Sequence, residues 1–405
     1  MTSRVTSDFR RWFWTRPRAH GDVIEGRRVS PIELLYDLVY VAVIAQSTHA
    51  LGTNITLEGV LDFVVVFSLV WIGWINGTLY MELHGREDGR TRTYVFLQMA
   101  ILCLLAVFTG NAAGSSGTNF ALTYVIFLLV IGWLFFTVSR VDEGPQARVT
   151  KTYSLFLFGS AAAILVSALL PSNYRLVLWA AFDLLWIVGM LVLGARPRTY
   201  AIGIPPTNSL VERLDTFTLI VLGEVVVGVV SGLTVAAQEA QTIATGILAL
   251  IIGLGFWWIY FDVVGGRPAR RVGGAIGVWI IGRLPIVMAI AAAGAAMVGL
   301  VEHAGLPVTP HETAWLLAGA VAVVLLFEIV LSWSFLDGER QRWVYRPLLW
   351  TMFLGALLAV AIGFLPLAPW ALALALNALL LGIWMVAALR FMKAGAWPPG
   401  SESVS

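Results

Sequence analysis

The sequence predicts an all-α, polytopic integral membrane helix bundle of about twelve transmembrane helices in two parallel six-helix repeats. Three observations carry this prediction. The first is composition: 59% of the 405 residues are hydrophobic and 12% are charged, with a mean hydropathy of +0.84, whereas soluble domains carry about 25% charge. The second is a recurrence of apolar runs of about 20 residues, the length that crosses a bilayer. The third is the segregation of Lys and Arg, which gather in the cytoplasmic loops of membrane proteins.

Twelve runs meet the length, near residues 31–51, 60–82, 94–110, 120–140, 152–170, 174–194, 211–232, 242–262, 275–300, 313–334, 347–365 and 369–391. With the first tail inside, 24 of the 26 Lys and Arg residues fall on the cytoplasmic side. Arg175 is then external, and Arg283 lies within a span. A wrong span count would scatter these charges, so both termini are expected in the cytoplasm. The first 29 residues hold seven arginines and no apolar core of signal-peptide length, so this end is expected to persist in the mature protein. Within it, Arg10-Arg11-Trp12-Phe13-Trp14 has a composition suited to an anionic membrane surface. The single cysteine, Cys103, leaves no intrachain disulfide framework and no thiolate cluster.

At a shift of about 180 residues the chain aligns with itself. Ser30-Pro31-Ile32-Glu33 falls on Ser209-Leu210-Val211-Glu212, Tyr80-Met81-Glu82 on Tyr260-Phe261-Asp262, and Gly85-Arg86 on Gly266-Arg267. Six helices return a chain to its starting side, so the halves would be parallel repeats, as in transporters built from two six-helix halves. The expected organisation is a basic cytoplasmic tail over 1–29, a first half over 30–194, a linker over 195–210, a second half over 211–392 and a tail over 393–405.

Ser30 and Ser209 each precede a glutamate, Glu33 and Glu212, by three residues at the start of an apolar run. That spacing is a capping box, which satisfies free amides at a helix start, and Pro31 fits the first helical position. A structural capping role is therefore expected for all four. Asp37 lies six residues into the first span. With Glu33, Tyr40, Ile44 and Thr48 it forms one stripe of the helix, polar along much of its length. Lipid would reject such a stripe, which is expected to face the bundle or a wet cavity. Asp183, Glu224, Arg283 and Glu328 also fall inside spans, roughly 9 to 18 Å deep at 1.5 Å per residue. Four carboxyls counting Asp37 face one guanidinium, so most must be protonated or bind a cation, or else serve as polar glue between helices. These five residues are the candidate substrate or ion site, with Glu224 the expected partner of Arg283 and Glu328 the alternative.

Pro285 removes the amide that would bond Ile281 and predicts a kink in the ninth span. Gly228 and Gly232 form a GxxxG pair that predicts close helix packing. Glu302-His303 and His311-Glu312 flank one loop, but surface histidines are the better reading, and no metal is expected. The chain lacks HExxH, GxSxG and phosphate-binding glycine motifs, so no catalytic residue or cofactor of a soluble-enzyme type is expected.

Glu33-Leu34-Leu35-Tyr36-Asp37-Leu38-Val39-Tyr40-Val41, with Gln46 and His49 beyond it, resembles the opening signature of the bacterial low temperature requirement A family. Glu212-Arg213-Leu214 through Leu222-Gly223-Glu224 is similar to that family's second motif, and Trp257-Trp258-Ile259-Tyr260-Phe261-Asp262 to its Trp-Trp-x-Tyr-Phe-Asp ending. The resemblance covers about residues 28 to 392, with Val225 where a serine commonly follows Gly-Glu. It implies a polytopic bacterial inner-membrane protein and names no substrate. The functional expectation is a secondary transporter or permease with a proton or cation site near Asp37, Glu224 and Arg283. A membrane-embedded enzyme acting on a lipid or isoprenoid, and a non-transporting factor for cold tolerance, are the rivals. Expected partners are membrane lipids and a small solute or proton; no nucleic acid is expected.

Overall fold

The computed structural model describes residues 12, 16–22, 24, 26–86, 88–195, 207–237, 239–270, 274–335 and 339–393. Most of the Arg10 to Trp14 segment, the linker over 196–206 and the tail from 394 lie outside the described residues; Trp12 is within them, its ring 5.4 Å from the Arg92 guanidinium. All regular structure among the described residues is helical. The helices are α1 (Pro31–Thr53), α2 (Leu57–His84), α3 (Gly89–Thr109), α4 (Gly117–Ser139), α5 (Gly144–Ser167), α6 (Ser172–Ala195), α7 (Asn208–Val235), α8 (Ala240–Val263), α9 (Ala275–Ile281), α10 (Arg283–Glu302), α11 (His311–Phe335), α12 (Glu339–Gly363) and α13 (Pro369–Lys393). α9 and α10 form one span, so twelve helical stretches among the described residues are long and apolar enough to cross a membrane. This is a multi-pass membrane helix bundle.

Local chemistry sets the helix ends. Asp88, in extended backbone, caps α3 by accepting the Thr91 N–H at 2.8 Å, and Thr56 caps α2 by accepting the Gly59 N–H at 3.0 Å. Each cap satisfies one of the four N–H groups that a helix start leaves free. The ninth span is interrupted at Gly282, three residues before Pro285. α12 runs through Pro347 and begins at Glu339, earlier than the apolar run alone marks.

The chain divides into two compact units. The first comprises residues 1–47 and 64–210, and the second residues 48–63 and 211–405, so the tip of the α1–α2 hairpin groups with the second. In the first unit α4 packs along α5 and α3, and α5 against α6. In the second, α10 packs on α11, α11 on α12, and α13 on α8 and α12. α10 is lined with Ala291, Ala292, Ala293, Gly294, Ala295 and Ala296, all buried. Small side chains let helix backbones approach where lipid supplies no hydrophobic drive for association.

Candidate functional site

In the first unit the polar stripe of α1 faces inward. Glu33, Asp37, Tyr40 and Ile44 are buried, while Leu34, Leu35 and Leu38 on the opposite side are exposed. Asp37 is 0% exposed and accepts the Trp74 indole N–H at 2.7 Å. One residue away, Tyr36 donates to Gln98 at 3.0 Å and lies 3.3 Å from the Tyr40 hydroxyl. Gly77 makes room for this group, since a Cβ there would stand 2.4 Å from the Tyr36 hydroxyl oxygen. Trp71 continues the aromatic layer from Trp74 to Trp186 of α6, with ring centroids 6.3 and 6.1 Å apart. Asp183 sits one turn from Trp186 on the same face of α6. It is 5% exposed, and neither carboxyl oxygen has a hydrogen-bond partner among the described residues.

The N-terminal ends of α1 and α7 meet the C-terminal end of α2 in a charged network. Arg27 bridges Glu33, at 2.9 Å, and Glu82. Ser30 donates to Glu33 at 2.9 Å. Ser209 donates to both oxygens of Glu82 at 2.9 Å, and Thr207 to one of them at 2.7 Å. The side chain that caps α7 is Thr207, whose hydroxyl accepts the Leu210 N–H at 3.2 Å; Ser209 lies inside the helix and serves Glu82 instead. Glu212 is exposed. Below this network Arg18 closes the end of α2, donating to the carbonyls of Gly85 at 2.7 Å and Glu82 at 2.6 Å. A cation is favoured at a helix C-terminus.

In the second unit the anion beside Arg283 is Asp215. Arg283 lies 3.5 Å from Asp215, donates to the Tyr260 hydroxyl at 3.2 Å and to the Trp279 carbonyl at 2.7 Å, and stacks 4.3 Å over the Trp279 ring. Tyr260 donates to Asp215 Oδ1 at 2.8 Å, and the Gly266 N–H donates to Oδ2 at 2.7 Å. Both carboxylate oxygens are thus engaged. Glu224 is not part of this group. Its backbone is met by Gly294, where a Cβ would stand 2.7 Å from the Glu224 carbonyl oxygen. Gly294 lies three turns beyond Arg283 on α10, roughly 16 Å at 1.5 Å per residue. Glu328 of α11 is 0% exposed, and neither of its carboxyl oxygens has a partner among the described residues.

The five candidate residues therefore fall into distinct settings. Asp37 is held by an indole, Arg283 is neutralised by Asp215, Glu224 is buried away from Arg283, and Asp183 and Glu328 are buried without donors among the described residues. Asp215 escaped the sequence reading because it follows the Ser209 to Glu212 signature closely and reads as part of a helix start. Asn76, which accepts from Tyr153 and donates to the Ile72 carbonyl at 2.7 Å, was also missed; a lone asparagine in an apolar run carries little signal. No group of three or more potential metal ligands forms among the described residues.

Twelve spans, with acids buried inside them, define a polytopic membrane protein with an ionisable interior. The family described as bacterial low temperature requirement A protein matches residues 28–389. The chain belongs to that family. It is 25% identical over 243 residues to an uncharacterized protein of Rhizobium meliloti (strain 1021), a match spanning 56% of this chain and 57% of that relative.

Proposed function

We propose that the protein is a secondary transporter or permease of the bacterial inner membrane, with both termini cytoplasmic. In this reading a small solute crosses in step with a proton or cation carried by buried carboxyl groups. The observation that carries it is the state of Asp183 and Glu328, whose four oxygens are buried with no hydrogen-bond donor among the described residues. An ionised carboxylate in such a place is too costly to keep unless a cation accompanies it, so the group holds a proton or binds an ion. Acids that serve only as scaffold look different: Asp215 and Glu82 have donors on both oxygens. Asp183 lies in the first compact unit and Glu328 in the second.

The test is proton movement in proteoliposomes holding a trapped pH indicator, screened over cationic, neutral and anionic solutes. Solute-dependent proton flux in the wild type, lost in Asp183→Asn or Glu328→Gln proteins that remain monodisperse, is the expected result. Lipid turnover without flux would support the membrane-enzyme reading instead.

A further inference from the structure

Within the second unit, α11 and α12 enclose an open groove of about 620 Å³ with an uneven distribution of chemistry. One end carries Arg270 and Arg346, and the walls are Ile329 and Trp333 of α11 with Leu349, Trp350 and Phe353 of α12. Trp333 and Trp350 are 63% and 60% exposed, so their indoles stand open to whatever surrounds the span. Phe353 lies two turns beyond Arg346, about 10 Å deeper at 1.5 Å per residue. The groove thus runs from cations through indoles to hydrocarbon, the order of chemistry across a membrane interface.

At the cationic end Arg270 is held in place, and no counter-ion meets either arginine among the described residues. The Arg270 backbone N–H donates to Ser334 at 2.9 Å and its guanidinium to the Trp333 carbonyl at 2.7 Å. Its Nε makes no hydrogen bond, and neither Arg270 nor Arg346 forms an ion pair, among the described residues. The two segments that supply them, 264–274 and 336–346, contain six arginines against Asp337 and Glu339. Positive charge is in excess there by composition alone.

We propose that this groove binds an anionic phospholipid, with the phosphate between Arg270 and Arg346 and one acyl chain along Trp333, Trp350 and Phe353. Guanidinium groups match phosphate oxygens in charge and in hydrogen-bond geometry. The apolar walls select a lipid over a free anion. A zwitterionic lipid brings its own ammonium into the arginine-rich end and gains less. The site is independent of the transport reading.

Native mass spectrometry of the delipidated full-length protein tests this. It is titrated with phosphatidylglycerol and with phosphatidylethanolamine of the same chains, and inorganic phosphate is added as competitor. Phosphatidylglycerol should bind more tightly, and Arg346→Gln, at an exposed position, should weaken it about fivefold, the effect of one cation near a membrane surface. Trp350→Ala should weaken both lipids alike, because it removes only a chain contact. Equal affinity for the two lipids, an unchanged Arg346→Gln protein, or full displacement by inorganic phosphate would overturn the proposal.

Discussion

Arg283 and Asp215 show how a membrane interior retains a permanent cation. The guanidinium is 1% exposed, and it persists because a carboxylate, a tyrosine hydroxyl, a backbone carbonyl and an indole face surround it. Removing the acid strands the cation, which costs about 3 to 5 kcal/mol. Asp215→Asn should therefore lower the melting temperature of the detergent-solubilised protein far more than Glu224→Gln does. Combining it with Arg283→Gln should recover part of the loss, and strictly additive single effects would rule out the coupling. At the surface, His20 is held below its ordinary value of 6.5 by burial, against an opposing pull from Asp142. A base depressed in this way contributes stability above the unfolded value and loses it as pH falls. Anchoring of the N-terminal segment, where the His20 backbone N–H donates to Asp142 at 2.7 Å, should loosen below about pH 6.5 as the buried imidazole takes up a proton, read as faster amide exchange at residues 16–22. His20→Gln should abolish that dependence. The sequence exposes Asp37 as inward-facing through helical spacing alone. It misses the pairing of Arg283 with Asp215, because they are 68 positions apart and only the packing of α7 on α8 and α10 brings them together.

Helix packing in the second unit depends on glycines used for different reasons. A Cβ at Gly228 would stand 2.2 Å from the Gly294 carbonyl oxygen, and one at Gly232 would stand 2.8 Å from Val301 Cβ, so the GxxxG spacing marks a real backbone approach of α7 to α10. Gly228→Leu should separate the helices at a cost of about 3 kcal/mol, seen as loss of the monodisperse peak on heated size-exclusion chromatography. Gly266 has open space around it, but its φ of +71° favours glycine. Gly266→Ala should cost only about 1 kcal/mol, from backbone strain. Equal losses for the two variants would contradict this assignment. The break at Gly282 was legible as a consequence of Pro285. The reach of α12 back to Glu339 was not, because apolar runs mark the stretch that meets hydrocarbon and helices continue past it.

At the scale of the whole molecule, span number followed from length and charge, since every helix had to meet the same bilayer. Reporters fused after Gly114 and Gly305 should read as external, and those after Gly144 and Gly265 as cytoplasmic; Gly114 and Gly144 on one side would contradict twelve spans. What the sequence left open was the division of the buried acids between those with donors and those without, which depends on contacts between helices remote in the chain. The functional proposal rests on that division. Infrared spectroscopy of the reconstituted protein tests it most directly, because a neutral carboxyl has a carbonyl stretch that a carboxylate lacks. Carboxyl bands are expected at neutral pH that shift in heavy water and disappear stepwise in Asp183→Asn and Glu328→Gln. Absence of such bands in the wild type, or their persistence in the double variant, would contradict the proposal.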